Sequence, residues 1–279
     1  MKKTTRYLLI SIISIIVILL FTAVLLFYST PDYDALNIVH RKIAESIVET
    51  WNERFASIPD DQVAIVSYDT LMNDLNYIQR HFAEQVFAIS PKELGFKGPF
   101  FSMEPAKQLK KIESVTLKTE KGDYETGVSY YPVRAYQDYE SMMIAMQQEI
   151  GKKLLFDSGY RSPGRQAYLY IKNLVVYNGY CLYENAKWIA LPGYSEHGDP
   201  MHTAVDFINV DGINGFGDGQ TALDFEELPE YQWLLDNGKR FNFYLSYPKN
   251  NPYGVTFEPW HWHWDGDSTP IQPTIGQGK

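Results

Sequence analysis

The chain has 279 residues, 45% of them apolar, with a formal net charge of -9 and a pI near 5.2. That apolar share is ample for a packed core, and an acidic balance without clustered Lys and Arg excludes nucleic acid as the main partner. The single cysteine, Cys181, excludes an intrachain disulfide framework and a multi-cysteine zinc site, and reads as a buried spectator thiol.

Lys2, Lys3 and Arg6 precede an uncharged run at 7–28, "YLLISIISIIVILLFTAVLLFY". At about 1.5 Å per residue the run reaches about 33 Å as a helix, enough for a hydrocarbon core of about 30 Å. A cleaved signal peptide has a shorter apolar core and a small-residue cleavage site, which "FYSTPDYDA" lacks. Residues 1–30 therefore read as a cytoplasmic N-terminus and an uncleaved transmembrane signal anchor. The basic residues on the cytoplasmic side place the rest of a single-pass membrane protein outside the cytoplasm.

From 35 to 55 the apolar residues Leu36, Val39, Ile43, Ile47, Trp51 and Phe55 recur every three or four positions, which predicts an amphipathic helix; a second is expected over 68–87 on Leu71, Leu75, Ile78 and Phe82. Between 107 and 131 the pattern alternates like strands, with "EKGDY" at 120–124 as a hairpin turn. Residues 31–132 thus form a membrane-proximal region of helices plus a small sheet. Tyr139, Met142, Met143, Met146 and Ile150 mark a helix from 136 that leads through Gly151 into a buried strand and turn, "KLLFDSGYRS"; a helix follows over 164–177. A loop then delivers "LPGYSEHGDPMHTAVDFINV", whose second half reads as a strand. A helix over 228–237 stops at Gly238, and "FNFYLSYP" and "VTFEPWHWHW" read as two more strands. The glycine-rich stretch at 209–220 lacks the spaced acids of a calcium loop and reads as a solvated connection. Strands and helices without a strict βαβ rhythm predict an α+β domain over 133–266 with a mainly antiparallel sheet and flanking helices, followed by a flexible tail, 267–279.

Four of the six histidines, His197, His202, His261 and His263, fall in the last third of the chain. A catalytic zinc takes three N or O ligands and leaves a position for water, with a carboxylate nearby to take that water's proton. "SEHGDPMHTAVD" and "EPWHWH" together contain that inventory. No His-Glu-x-x-His occurs and Pro259 would break a helix, so the site must stand on strands and loops. In a regular strand Glu258 and His261 would face opposite sides, so a bend at Pro259 is needed for both to approach one ion. His261 and His263 would share a face, which leaves open which of them is the ligand.

"SGYRS" at 158–162, Gln166, "SEH" at 195–197 followed by "AVDF" at 204–207, and "EPWHW" at 258–262 resemble, in order, the signatures of VanY-type D-alanyl-D-alanine carboxypeptidases. These are zinc peptidases that share a fold with the Hedgehog signalling domain. The resemblance covers residues 136–266. It implies that His197, Asp206 and His261 bind Zn2+, that Glu258 is the general base, and that Arg161 holds the scissile carbonyl oxygen as it gains charge; Ser195 and Gln166 would contact substrate. Singly, Arg161 reads equally well as an ion-pair partner, Asp206 as a strand-end cap and His261 as a core histidine.

Two positions depart from the family pattern. Its first histidine stands seven residues before the aspartate, where this chain has Asp199, whereas His197 is nine before Asp206. The intact Ser-Glu-His triplet and the loop-forming Gly-Asp-Pro favour a two-residue insertion, with His202, in place of a usual glycine, as the rival ligand. His263 replaces a usual arginine. The resemblance implies a membrane-anchored zinc D,D-carboxypeptidase acting on peptidoglycan stem peptides or their precursors. A peptidoglycan endopeptidase or L,D-carboxypeptidase, and a non-catalytic peptidoglycan-binding or signalling module of the same fold, are the alternatives.

Overall fold

The computed structural model describes residues 2–217 and 219–266; the expected tail at 267–279 lies outside the described residues. Helix α1 (Lys2–Tyr28) contains Tyr7–Tyr28, the one helix among the described residues long and apolar enough to cross a membrane, with none of it buried. Asn37 caps helix α2 (Ile38–Ser57) by accepting from the Val39 and His40 amides, and also donates to Leu26 O at the end of α1. A short helix α3 (Asp60–Val63) follows.

The helix expected over 68–87 is two helices, α4 (Tyr68–Asp74) and α5 (Tyr77–Phe87). Asn76 and Gln79 form a reciprocal capping box that starts α5 afresh, and Leu75 between the two is extended and buried. Leu71, Leu75 and Phe82 are buried as the periodicity predicted, but the restart turns Ile78 to solvent. Next come β1 (Leu109–Ile112), β2 (Thr116–Thr119), β3 (Gly122–Glu125) and β4 (Ser129–Pro132). They make two antiparallel pairs, β1 with β4 and β2 with β3, the latter turning where the Gly-containing motif predicted.

Helix α6 (Val133–Ile150) ends at Gly151, whose φ of 68° is the left-handed conformation that closes a helix. Strand β5 (Leu154–Ser158), helices α7 (Pro163–Val176) and α8 (Leu182–Ala186), strand β6 (Ala204–Asn209), helices α9 (Ala222–Glu226) and α10 (Pro229–Asn237), and strands β7 (Phe243–Leu245) and β8 (His261–Trp264) complete the chain. The last four strands form one antiparallel sheet in the order β5-β6-β8-β7. The result is a mixture of helices and small antiparallel sheets.

Three local expectations are corrected. The α-helix expected over 228–237 ends at Asn237 with Gly238 as its C-cap, but Gly238 is right-handed and leads into a 3-10 turn, and Asn242, at φ 64°, takes the left-handed terminating position. The strand expected over 255–264 is regular only from His261, because Pro259 has no N–H to offer a ladder. The connection at 209–220 is internally bonded rather than merely solvated: Asn214 is buried, and Gln220 Oε1 accepts from the Asn214 and Gly215 amides.

Two cores hold the molecule. One joins α6, α9 and α10 to the four-stranded sheet, with Phe156, Phe207, Phe243 and Trp262 at its centre. The other joins α2, α4 and α5 to α7 and α8, so helices from both sides of residue 132 bury one another; Trp51, Leu71, Tyr170 and Leu174 are wholly enclosed there.

Candidate metal centre

The central strand β6 is buried along its whole length and carries Asp206, which stands opposite Ser158 on β5 and His261 on β8. This register sets the site, because side chains of directly opposed residues lie on the same face. The bend required before His261 is a turn in which the His261 amide donates to Glu258 O at 3.2 Å. It brings Glu258 Oε2 to 3.8 Å from His261 Nδ1, so base candidate and ligand candidate, three apart in sequence, share a side.

His197 arrives on a 3-10 turn, Glu196–Gly198. Its carbonyl accepts from the Arg161 amide at 2.9 Å and from Thr203 Oγ1 at 3.3 Å, which ties the turn to the start of α7 and to the foot of β6. The longer spacing to Asp206 is absorbed by the intervening loop, whose Met201 is exposed and whose Asp199 Oδ1 accepts the Met201 amide. His202 does not join the cluster; its ring lies 3.6 Å from both Asp199 and Asp265. His263 also stays out of it, its Nδ1 2.8 Å from Ser246 Oγ.

His197, Asp206 and His261 converge: His197 Nε2 lies 3.1 Å from Asp206 Oδ2, His261 Nδ1 lies 2.9 Å from Asp206 Oδ1, and the two imidazole nitrogens are 3.2 Å apart. All three residues are buried and form the one such group of possible ligands among the described residues. Tetrahedral zinc with bonds of about 2.0–2.1 Å needs donor atoms about 3.3 Å apart, which these spacings approach. The outward nitrogens are already engaged: His197 Nδ1 lies 2.7 Å from Gly159 O, and His261 Nε2 lies 2.9 Å from Glu196 Oε2. Such partners fix each ring so that a lone pair faces inward. The residues therefore fit a divalent ion of the zinc type.

Charge points the same way. Burial alone would raise the Asp206 carboxyl, but His197 and His261 outweigh it and hold it well below the usual range. Burial and the neighbouring Arg161 push His197 down to about 4. Burial would also lower His261, but Asp206 and Glu196 overcome it and push it up to about 10. Burial pushes Glu258 up to about 8 despite His261 beside it. Asp206 and Glu258 are buried and Glu196 half-buried around the two imidazoles, so added positive charge would stabilise the ionised forms of these carboxyls.

Arg161 follows the β5 bulge. Its Nη2 donates to Asp206 Oδ2 at 3.2 Å and its Nη1 to Gln166 Oε1 at 3.4 Å, while its Nε is buried without a partner. Gln166 is held in turn by donating to Ala190 O at 2.7 Å, so it positions the arginine. Ser195 is buried, and its carbonyl closes the turn by accepting from the Gly198 amide. Sequence reasoning missed two residues against His261: Glu196, and Tyr247, whose ring centre lies 4.8 Å from the imidazole. Adjacency to His197 in the Ser-Glu-His triplet was the available signal for Glu196; Tyr247 carried none.

The sequence profile of the VanY family, described as D-alanyl-D-alanine carboxypeptidase, matches residues 129–267. Through this region the chain belongs to the VanY family. A D-alanyl-D-alanine carboxypeptidase of Enterococcus faecalis is 36% identical over 117 residues, 39% of this chain and 39% of that protein. One from Enterococcus faecium is 30% identical over 110 residues, 38% of this chain and 28% of that protein. The VanY chain described here thus aligns with about two fifths or less of the length of these curated relatives. Among solved structures, VanYB in complex with D-alanine-D-alanine is 26% identical with a TM-score of 0.40, covering 56% of this chain and 79% of that one.

Proposed function

We propose that the chain is a membrane-anchored, zinc-dependent D,D-carboxypeptidase that hydrolyses the terminal D-alanyl-D-alanine bond of peptidoglycan stem peptides outside the cytoplasm. The observation that carries this reading is the convergence of His197, Asp206 and His261 with Glu258 Oε2 3.8 Å from His261 Nδ1. His197, Asp206 and His261 would hold zinc, which would supply the Lewis acidity that makes water easier to deprotonate.

Glu258 takes the proton as the water oxygen bonds to the scissile carbonyl carbon, and returns it to the nitrogen as the C–N bond breaks, releasing D-alanine. Positive charge beside Glu258 favours the carboxylate form that a base requires. The Arg161 guanidinium, fixed by Asp206 and Gln166, receives the carbonyl oxygen as it becomes negative, and its unpartnered buried Nε is a donor held in reserve for that oxygen. Tyr247, buried with its ring centre 4.8 Å from the His261 imidazole, keeps bulk water from that side of the cluster. Helix Tyr7–Tyr28 would hold this centre at the outer membrane face, where wall precursors are displayed.

The test is release of D-alanine from a synthetic pentapeptide ending in D-Ala-D-Ala by the full chain in detergent. Turnover should cease on chelation, return with added zinc, and be absent in Glu258→Gln. Turnover that survives both chelation and that substitution would overturn the mechanism, and a protein that binds the peptide without consuming it would be a wall-binding module.

A further inference from the structure

Residues 25–81 lie outside the region matched by the family profile, and they join the apolar helix α1 to the rest of the chain without slack. Asn37 Nδ2 donates to Leu26 O at 3.1 Å and lies 3.2 Å from Ser29 Oγ. His40 is buried, with Nε2 3.2 Å from Phe27 O and Nδ1 3.1 Å from Asn37 Nδ2. A neutral ring satisfies both, donating from one nitrogen and accepting at the other. Side chains reinforce the joint: the His81 ring centre lies 5.2 Å from that of Phe27, 5.8 Å from that of Tyr28 and 6.1 Å from that of Tyr77, which stacks on it. The end of α1 is therefore fixed against the N-terminal halves of α2 and α5.

Around that joint large apolar side chains are bare: Tyr28, Ile38, Tyr77 and Ile78 are 59%, 62%, 71% and 51% exposed. Single exposed apolar residues are ordinary on a soluble surface. These four are grouped where a membrane-spanning helix would leave hydrocarbon, and two are tyrosines, a residue type enriched at that boundary. The cations that follow Ile38 and Ile78 are engaged within the protein: Arg41 Nε donates to Leu36 O, Lys42 pairs with Glu45, and Arg80 Nη2 donates to Asn73 Oδ1. Helix α7 connects the joint to the metal centre. It starts where the Arg161 amide donates to His197 O and Ser162 Oγ to Val66 O, and its far end lies near the joint, where the Leu36 amide donates to Tyr180 O at 3.1 Å. Its 14 residues span about 21 Å.

We propose that Tyr28, Ile38, Tyr77 and Ile78 form a foot that enters the boundary between lipid headgroups and acyl chains, so that the protein is seated on the bilayer instead of swinging from a tether. This rests on the reading of Tyr7–Tyr28 as a membrane span, and not on peptidase activity. Insertion removes the four side chains from water while the tyrosine hydroxyls stay among the headgroups. Ile78, which the restart of α5 takes out of the core, finds its apolar environment in lipid. Because the foot is uncharged, zwitterionic and anionic lipid serve it equally. The clamped joint and α7 then hold the metal centre at one height above the membrane.

The test is spin-label depth in the full chain, carrying Cys181→Ser, in phosphatidylcholine liposomes with and without phosphatidylglycerol. Labels are placed one at a time by Ile15→Cys on the span, by Ile38→Cys and Ile78→Cys on the foot, and by Ile144→Cys and Leu235→Cys at exposed positions elsewhere. The foot labels should be reached by oxygen more readily than by an aqueous nickel chelate, as the Ile15 label is, and the labels at 144 and 235 should show the reverse. Adding Tyr77→Asp should move the Ile78 label into water with an unchanged melting temperature. Foot labels that read as aqueous while the Ile15 label reads as lipid-buried overturn the seat and leave the span; an aqueous Ile15 label overturns both. Lipid contact that needs phosphatidylglycerol overturns the uncharged foot. Shielding that disappears when the protein is diluted in lipid assigns the face to a second copy and likewise overturns the proposal.

Discussion

A carboxyl buried as Glu258 is keeps its proton to about pH 8 when only protein surrounds it, so the base role proposed for it depends on added positive charge nearby. Glu258→Gln keeps the shape and removes the proposed base. It should lower kcat by about 100- to 10,000-fold while metal content stays stoichiometric, measured by D-alanine release and elemental analysis of the same sample. Glu196 acts one step removed, through the outward nitrogen of His261. Glu196→Gln should weaken zinc by about 10- to 100-fold in competition with a chelating dye, a readout independent of turnover. Asp157 gives the pH signature of the fold. Burial is the main cause of its rise to about 6, against bonds from Tyr124 and Asn214. Its stabilising contribution is complete below the unfolded value of about 3.8 and is lost as pH rises through about 6, a difference of roughly 3 kcal/mol. Asp157→Asn should therefore flatten the decline in melting temperature across about pH 4–6 in chelated protein; an unaltered slope would assign that decline to other groups.

At the scale of elements, periodicity located the helices and most strands, but not their interruptions. The break at Leu75 and Asn76 follows from a cap that the apolar stripe conceals, since Leu71, Leu75 and Phe82 remain buried on either side of it. The candidate ligands depend on pairing: Asp206 and His261 meet because β6 and β8 run antiparallel in that register, and a slip of one residue would turn His261 to the opposite face. The Glu258 turn and the loop after His197 then bring in residues that no strand holds. The tight contact of Gly254 with Gly95 is equally specific. Gly254→Ala combines a φ of +78° with a Cβ 2.2 Å from Gly95 O, so a cost of about 1–3 kcal/mol is expected, seen as a melting temperature lower by several degrees in circular dichroism.

For the whole molecule, the helices of 31–132 are structurally inseparable from α7, whose Tyr170, Ile171 and Leu174 are buried among Ile47, Trp51 and Phe82. Trp51 is fully enclosed and donates to Leu71 O at 2.9 Å. Trp51→Ala should cost about 3–5 kcal/mol, so denaturant midpoints should fall while zinc affinity of the remaining folded protein is unchanged. A fragment beginning near residue 129 would expose that apolar face of α7 and should aggregate, whereas the full chain in detergent should not.

The sequence by itself determined what could be read from local order: an uncharged run long enough to span a bilayer, amphipathic helices, and donor residues of the right chemistry in family order, because periodicity and residue type are properties of neighbouring positions. It left open whether His197 or His202, and His261 or His263, would join the cluster around Asp206, and it did not reveal that Glu196 and Tyr247 would flank His261. Those outcomes were decided by strand register, by a turn at Pro259 and by contacts between residues tens of positions apart, which exist only once the sheet and both cores have closed.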